Sequence, residues 1–507
     1  LMSHKLLQHS LFRAKTIHEI DMLATQGSEI SAFELMSRAG ESAFSELLDA
    51  FGIPSLLHVF CGSGNNGGDG YIVASLAAAK SIPVHLYEFG NTKSMSKEAI
   101  KARRLCLEAK INCQEFQTSF QLSEGVIVDG LIGIGYEGKM RKDFVDAIEC
   151  INSSLLPVLS IDLPSGLISD TGAISEIAVR ADLTVTFVGA KQGLFTGRGP
   201  ALCGDIIFDS LEIPEDVFKQ KSSASELMCL EDLMDFLPEM EADLHKNKRG
   251  HCMVIGGDYG AGGASLLAAQ ACLKVGAGLS SHATRPEHIS ASLMRQPEVM
   301  ACGVVSGQEL EPLLVKPSVL VVGPGLGRSS WSEQILQKAL SANLPMVVDA
   351  DGLNIISEGR VASDFSGRTW VMTPHPGEAA RLLGTTIDEI ESDRFSAVSR
   401  LQEKYNAIIV LKGAGTIVSA PHGQPNKVCQ YGNPAMATAG MGDILSGIIG
   451  GLIAQGLDIQ TATELGVCMH SFAADMAVDA DGSKGLVAGD LFTYLRDLLN
   501  LQNYDLG

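Results

Sequence analysis

The residue with the plainest chemical potential is Asp443. It ends the run Asn433-Pro-Ala-Met-Ala-Thr438-Ala-Gly440-Met441-Gly442-Asp443, and the apolar stretch Ile444 to Gln455 that follows reads as a buried helix. Glycine bares backbone N–H groups at a helix N-terminus. Such groups can neutralise charge on a phosphoryl group in transfer, while the adjacent carboxylate takes the proton of an attacking hydroxyl. A plain helix cap would use the same aspartate. Upstream, Ile408-Ile-Val-Leu-Lys412-Gly413-Ala414-Gly415-Thr416 is a strand running into a glycine loop with one lysine. That pattern suits nucleotide phosphates, and it also suits a hairpin turn. Thr373-Pro-His375-Pro376-Gly377-Glu378 is a polar loop stiffened by two prolines, a fit for a preset binding edge. Val322-Gly-Pro-Gly325-Leu-Gly327 and Val348-Asp349-Ala-Asp351-Gly352 are further strand ends, and Gly256 to Ala264 opens this half.

The first half holds a second constellation. Cys61-Gly-Ser-Gly-Asn65-Asn66-Gly67-Gly68-Asp69-Gly70 follows an apolar strand, and a helix is expected to start near Tyr71. Gly62, Gly64, Gly67 and Gly68 offer positive φ and bare N–H groups that could converge on a phosphate. The run is neither a Walker A loop nor a G-x-G-x-x-G fingerprint. Asn65, Asn66 and Asp69 are its informative members, since turn geometry alone needs no amides. Two other strand ends carry carboxylates. One is Val128-Asp129-Gly-Leu-Ile-Gly133-Ile134-Gly135-Tyr136-Glu137-Gly138-Lys139. The other is Ser160-Ile-Asp162-Leu-Pro-Ser165-Gly166. A carboxylate ending an apolar strand is costly unless paired or bound to a cation, although aspartate also caps helices and makes turns.

The elements that must hold these groups are short apolar runs rich in β-branched residues. They are Leu56–Gly62, Val84–Phe89, Val126–Gly130, Pro157–Ile161 and Leu183–Val188. In the second half they are Cys252–Ile255, Val319–Val322, Met346–Val348, Trp370–Met372 and Ile408–Leu411. Near-continuous apolar strands with helical patterns between them predict parallel sheets covered on both faces, an α/β fold in each half. Ser31-Ala-Phe-Glu34 reads as a capping box, and Leu35, Ala39, Ala43 and Leu47 as the apolar face of the helix behind it. Leu211 to Arg249 is acidic, Lys- and Ser-rich and lacks a strand pattern. The domain boundary is placed there, giving 1–222 and 223–507.

Bulk composition narrows the function classes. The chain has 507 residues, 46% hydrophobic and 19% charged, enough for two packed cores. A formal charge of −21 argues against nucleic acid and anionic membrane, so any phosphate must be held locally. Eleven scattered cysteines without Cys-x-x-Cys fit a reducing compartment, and no Cys/His spacing suits zinc. The opening LMSHKLLQHSLF lacks the apolar region of a signal peptide, and Ile444 to Leu457 is too short and glycine-broken to span a bilayer. The cytoplasm is the expected location.

Taken in order, Asn-Asn-Gly-Gly-Asp-Gly, Val-Asp-Gly-Leu-x-Gly-x-Gly and Ile-Asp-x-Pro-Ser-Gly resemble the NAD(P)H-hydrate epimerase family (the YjeF N-terminal domain). Glu19-Ile-Asp21 and Leu35-Met36-x-Arg38-Ala39-Gly40 are similar to its first helices. The resemblance covers about residues 10–215. It implies a Rossmann-like, three-layer fold that interconverts the R and S epimers of nicotinamide hydrated at C6. It further implies that Asn65, Asn66, Gly67, Gly68 and Asp69 bind the hydrate's phosphates and that Gly133 to Lys139 form a second substrate loop. Asn66, Asp129 and Ser165 would hold a potassium ion, and Asp162 would contact substrate as the general acid/base.

Gly-Pro-Gly-Leu-Gly, Asp-Ala-Asp-Gly, Thr-Pro-His-Pro-Gly-Glu, Lys-Gly-Ala-Gly-Thr and Gly-Met-Gly-Asp, also in order, resemble the ribokinase-like NAD(P)H-hydrate dehydratases over about residues 235–500. That resemblance implies phosphorylation of the S hydrate's 6-hydroxyl followed by elimination of phosphate. Asp443 would be the base. Lys412, Gly413, Ala414, Gly415, Thr416, Asn433, Thr438, Gly440, Met441 and Gly442 would bind nucleotide. Ala264, Gly325 and His375 to Arg381, including Pro376, Gly377 and Glu378, would line the hydrate. Fusion of the two halves points to ADP as co-substrate, with Mg²⁺ on its phosphates, and the family suggests a homo-oligomer. A small-molecule kinase with an N-terminal sensing module is the alternative, and a non-enzymatic binder the third reading.

Overall fold

The computed structural model describes residues 9–26, 30–118, 120, 122–136, 138–239, 246–361 and 365–500. Residues 1–8 of the opening and Glu137 lie outside these residues. The chain forms two compact units, 1–226 and 227–507.

The first unit is built on a seven-stranded sheet. Its strands are β1 (Leu57–Cys61), β2 (Val84–Glu88), β3 (Asn112–Glu115), β4 (Val126–Gly130), β5 (Val158–Ile161), β6 (Leu183–Phe187) and β7 (Asp205–Asp209). They run in the order 3-2-1-4-5-6-7, every neighbouring pair parallel. This is the doubly wound order, in which ligands lie beyond the carboxyl ends of the strands where the winding reverses, here between β1 and β4. β1, β4, β5 and β6 are buried along their whole length, as their unbroken apolar runs require.

Three helices bear on the site. Helix α1 spans Ala14–Gln26. Helix α2 spans Ala32–Phe51, and the Ser31 hydroxyl caps it by accepting from the Glu34 N–H at 3.1 Å. Leu35, Ala39, Ala43 and Leu47 are all buried, as the fourfold spacing predicted. Helix α3 spans Asn65–Ala79. It corrects the expectation of a glycine loop with a helix from Tyr71: Asn65 to Gly70 are already its first turns. Nor do Gly62, Gly64, Gly67 and Gly68 adopt positive φ. At Gly62 and Gly67, glycine is required for close approach. A Cβ on Gly67 would lie 1.9 Å from the Gly62 carbonyl oxygen, and one on Gly62 1.9 Å from that of Leu131. α3 therefore abuts the ends of β1 and β4 with no side chain between.

The second unit has nine strands: β8 (His251–Ile255), β9 (Leu279–Thr284), β10 (Met300–Gly303), β11 (Val319–Val322), β12 (Met346–Val348), β13 (Trp370–Met372), β14 (Ile408–Leu411), β15 (Ile417–Val418) and β16 (Asn426–Val428). The order is 10-9-8-11-12-13-14-15-16, parallel up to β14 and antiparallel beyond. Helices α4 (Gly262–Lys274) and α5 (Met441–Ala454) pack through glycine, for a Cβ on Gly447 would meet the Ala268 carbonyl oxygen at 2.2 Å. α5 is almost wholly buried, which accounts for its continuous apolar run. Among the described residues no helix is long and apolar enough to cross a membrane.

Of these strands, sequence reading missed β3, β7, β9, β10, β15 and β16. β3, β7 and β10 sit at sheet edges and carry polar or half-exposed residues. β9 is internal but reads as polar. Its Ser280 hydroxyl donates to the Ala269 carbonyl, and its His282 ring lies between the Ser265 and Ser292 hydroxyls. The acidic 211–249 stretch also contains a three-residue strand, Ser225–Leu227. All eleven cysteines are free thiols and none is exposed. Cys252 and Cys272 lie with their sulfurs 3.2 Å apart in the second core.

Candidate functional sites

In the first unit a cavity of about 950 Å³ is walled by Asn65, Asn66 and Asp69 of α3, the 131–136 segment after β4, and Asp162. Of the residues expected to bind hydrate, Gly67 and Gly68 are not on this wall. Gly67 presses on Gly62, and Gly68 on Met36. Gly138 and Lys139 are exposed and also off the wall, while Glu137 lies outside the described residues.

Asp129 is fully buried at the end of β4. Four neutral donors saturate its carboxylate: the Ser165 hydroxyl at 2.6 Å, the Ser165 N–H at 2.9 Å, the Ser160 hydroxyl at 2.8 Å and the Leu131 N–H at 3.3 Å. Burial pushes its pKa up, and no salt bridge forms to it among the described residues. Beside it, the Asn66 amide donates to the Ile132 carbonyl at 3.1 Å, leaving the amide oxygen Oδ1 buried without a partner. The Ile132 N–H donates to the Ser165 hydroxyl at 2.9 Å. An orphaned amide oxygen next to a carboxylate neutralised by no side chain fits a hard monovalent cation.

Asp162 follows β5 in the left-handed region, at φ 68°. This strained conformation is fixed by its N–H donating to the Val185 carbonyl at 2.7 Å. Its carboxylate is ion-paired with the ammonium of Lys191, a residue that sequence reading did not single out. It also accepts from the Phe187 N–H at 3.2 Å and the Thr186 hydroxyl at 3.3 Å. Lys191 is fully buried and donates further to the Phe187 carbonyl at 2.8 Å and to Thr186 Oγ1 at 3.1 Å. Two more carboxyls share the cavity, Asp69 and Asp21. Burial raises both, reinforced by their negative neighbours and opposed by Lys191.

In the second unit the chemistry gathers around Lys412 and Asp443. Gly440, at φ 90°, caps α5 and sets Asp443 in its first turn. Burial pushes the Asp443 carboxyl up to about 6, helped by Asp349 and Asp351 and opposed by Lys412. The Lys412 ammonium donates to Asp349 Oδ1 at 2.8 Å and lies 3.9 Å from Glu378 Oε2. A Cβ on Gly442 would be 3.1 Å from that ammonium, so the cation sits directly over the turn. Ser446, one helical turn past Gly442, donates to Asp349 Oδ2 at 2.5 Å. Arg394, itself buried, supports the Lys412 loop by donating to the Leu411 and Lys412 carbonyls, each at 3.1 Å.

His375 caps the helix Pro376–Leu383. Its Nδ1 accepts from the Gly377 N–H at 3.0 Å, while its own N–H donates to Glu378 at 2.8 Å. Burial and the nearby Lys412 and Arg381 cations push its pKa down. Asn433 is clamped by Asp475, which accepts from its amide at 2.7 Å and from the Gly432 N–H at 2.8 Å. Gly325, at φ 58°, and Ala264 flank the same Ala261 turn. The next residues on α4 reach the turn that caps α5, since a Cβ on Gly440 would meet Leu267 at 2.9 Å. The structure thus brings Lys412, His375, Glu378 and Asp443 to one cluster with Asp349, whose pairing role sequence reading had not assigned.

Two family models match the chain, one in each half. The family model described as NAD(P)H-hydrate dehydratase matches residues 252–497, and that of the YjeF-related protein N-terminus matches 32–193. The chain is similar to the Bifunctional NAD(P)H-hydrate repair enzyme Nnr of Coxiella burnetii, 44% identical over 490 residues, covering 97% of this chain and 99% of the relative. The Escherichia coli protein of the same name is 38% identical over 496 residues, covering 97% of this chain and 95% of its own. A solved ribokinase-like superfamily protein from Enterococcus faecalis aligns with TM-score 0.50 at 28% identity, over 54% of this chain and 95% of that one.

Proposed function

The chain belongs to the bifunctional NAD(P)H-hydrate repair enzymes, and on that premise we propose which residues carry its two activities and which nucleotide it spends. It is an NAD(P)H-hydrate epimerase joined to an ADP/ATP-dependent NAD(P)H-hydrate dehydratase. Full-length kinship removes the small-molecule kinase and the plain binder as readings.

In the proposed dehydratase step, residues of 223–507 hold S-NAD(P)HX and ADP. Asp443 takes the proton of the 6-hydroxyl as its oxygen attacks the terminal phosphoryl group, releasing AMP. The N–H groups of Gly440 to Gly442 and the Lys412 ammonium neutralise the charge that develops. Phosphate then leaves C6 as a proton leaves C5, restoring the nicotinamide double bond. Lys412 to Thr416, Asn433 and Thr438 hold the nucleotide. Ala264, Gly325 and His375 to Glu378 hold the hydrate. Mg²⁺ would ride on the nucleotide phosphates, where the nearby carboxylates favour a hard cation.

In the proposed epimerase step, residues of 1–222 hold either epimer, with Asp162 as the base. Potassium would lie among Asn66, Asp129 and Ser165 and orient the 131–136 segment. The observation that carries the whole reading is Asp443 in the glycine turn beneath Lys412: a carboxylate and a cation meet where a phosphoryl group would transfer.

The test is recovery of absorbance at 340 nm from mixed R and S NADHX, with ADP and Mg²⁺ in one cuvette and ATP and Mg²⁺ in another. Full recovery with ADP is expected. Asp443→Ala should abolish recovery while epimers still interconvert. Asp162→Asn should stop recovery once the S form is consumed. Faster recovery with ATP than with ADP would overturn the nucleotide assignment.

A further inference from the structure

Epimerisation at C6 by ring opening takes one proton off the hydroxyl and places another on the ring nitrogen as the C6–N1 bond breaks, and a single carboxylate serves only one of these transfers at a time. Asp162 is in direct contact with the buried Lys191 ammonium, which faces the carboxylate on one side. A second group that can carry a proton is required on the same cavity. His18, Asp21 and Asp69 line that cavity together with Asp162 and Lys191. Among these, Asp21 on α1 is distinct. Its Oδ1 is buried and has no hydrogen-bond partner, and no described salt bridge ties it down. An unpartnered buried carboxyl oxygen needs either a proton or a ligand.

We propose that Asp21 is the second proton-transfer group of the epimerase, acting on the ring nitrogen while Asp162 acts on the 6-hydroxyl; this rests on the role given to Asp162 above. Asp162 removes the hydroxyl proton as the C6–N1 bond breaks, its electron pair going to N1. Asp21 delivers its proton to N1, leaving an aldehyde at C6 and a secondary enamine. Rotation about C5–C6 presents the other face of the aldehyde. N1 then adds back to C6, Asp21 recovers its proton, and Asp162 returns its own to the oxygen. Atoms and electrons balance without a co-reactant, and the C6 oxygen never leaves. Loss of hydroxide would instead give a cation one C5 proton away from NAD(P)H.

The surroundings suit the assignment. Burial is the largest influence on Asp21 and pushes it up to about 6, with Asp162 acting in the same direction and Lys191 and His18 opposing. Asp69, on α3, is also pushed upward and adds no stabilising cation. Two carboxyls on one cavity, one paired with a lysine and one without a partner, are placed to divide acid and base roles. Because Asp21 must be protonated to act, epimerase kcat should fall as pH rises through the Asp21 titration.

The experiment uses the full chain and follows R to S conversion by NMR, without nucleotide. Asp21→Asn should lower kcat on the order of 100-fold or more while KM stays within a few-fold, and it should lose the alkaline limb of the profile. Asp21→Glu should restore part of the rate. ADP-dependent turnover of purified S-NADHX by the same variant should match wild type, showing an intact second unit. An active wild type with an unchanged Asp21→Asn rate overturns this proposal alone. So does a loss confined to KM, or one that Asp21→Glu shares fully. A wild type that leaves the R form unconverted overturns the Asp162 reading together with it.

Discussion

Lys412 and Asp349 form a pair in which neither partner can be removed cheaply. Asp349 is 1% exposed, and its two oxygens are taken by Lys412 and Ser446. Lys412→Met should abolish dehydration and also destabilise the second unit by roughly 3–5 kcal/mol, because it strands a buried carboxylate. Urea unfolding would show the loss. The double variant with Asp349→Leu should regain much of the stability and none of the activity. A single variant as stable as wild type would refute this account of the pair. At this scale the sequence was legible as need but not as partner. Asp129 and Asp162 at strand ends and Asp443 at a helix start each stood out as a carboxylate requiring an explanation, whereas Asp349 was seen only as part of a strand end. What satisfies them was not legible, because Lys191 lies 29 residues beyond Asp162 and Lys412 lies 63 beyond Asp349. Asp21 was legible only as part of the Glu19-Ile-Asp21 resemblance and not as a site residue, since it sits within an ordinary amphipathic helix.

At the scale of elements the decisive feature is how α3 meets the sheet. Gly67→Ala forces a Cβ against the Gly62 carbonyl, where only backbone movement gives relief. It should cost the first unit about 3 kcal/mol or more, with loss of epimerase activity. Gly64→Ala, at the helix cap with nothing within 4 Å of the added carbon, should fold normally. Thermal unfolding by circular dichroism compares the two, and equal melting temperatures would refute the close-packing account. Buried strands were legible because apolar runs and parallel pairing go together. Strand ends shifted by only a residue, as in Val158–Ile161 against the expected Pro157–Ile161. The edge strands and polar β9 were not legible, because their partners rather than their own residues make them strands. The glycine run was legible as a special place but was assigned the wrong geometry. Glycine for positive φ and glycine for close approach look alike in sequence, and only tertiary structure separates them.

At the scale of the whole molecule, each proposed site draws its residues from one unit alone, 1–226 or 227–507. Asp162→Asn and Asp443→Ala chains mixed in one cuvette should therefore complement each other and recover the full absorbance from mixed epimers. Recovery stalled at half the hydrate would mean that the two activities must share one chain. The cysteines have a consequence for durability. Eleven thiols lie free, yet none is fully exposed, and burial holds Cys61, Cys106 and Cys203 in the unreactive protonated form. Peroxide and electrophiles attack the thiolate. Packing alone should therefore leave those three thiols unmodified under peroxide or alkylating reagent in the folded protein and open them to reaction on unfolding.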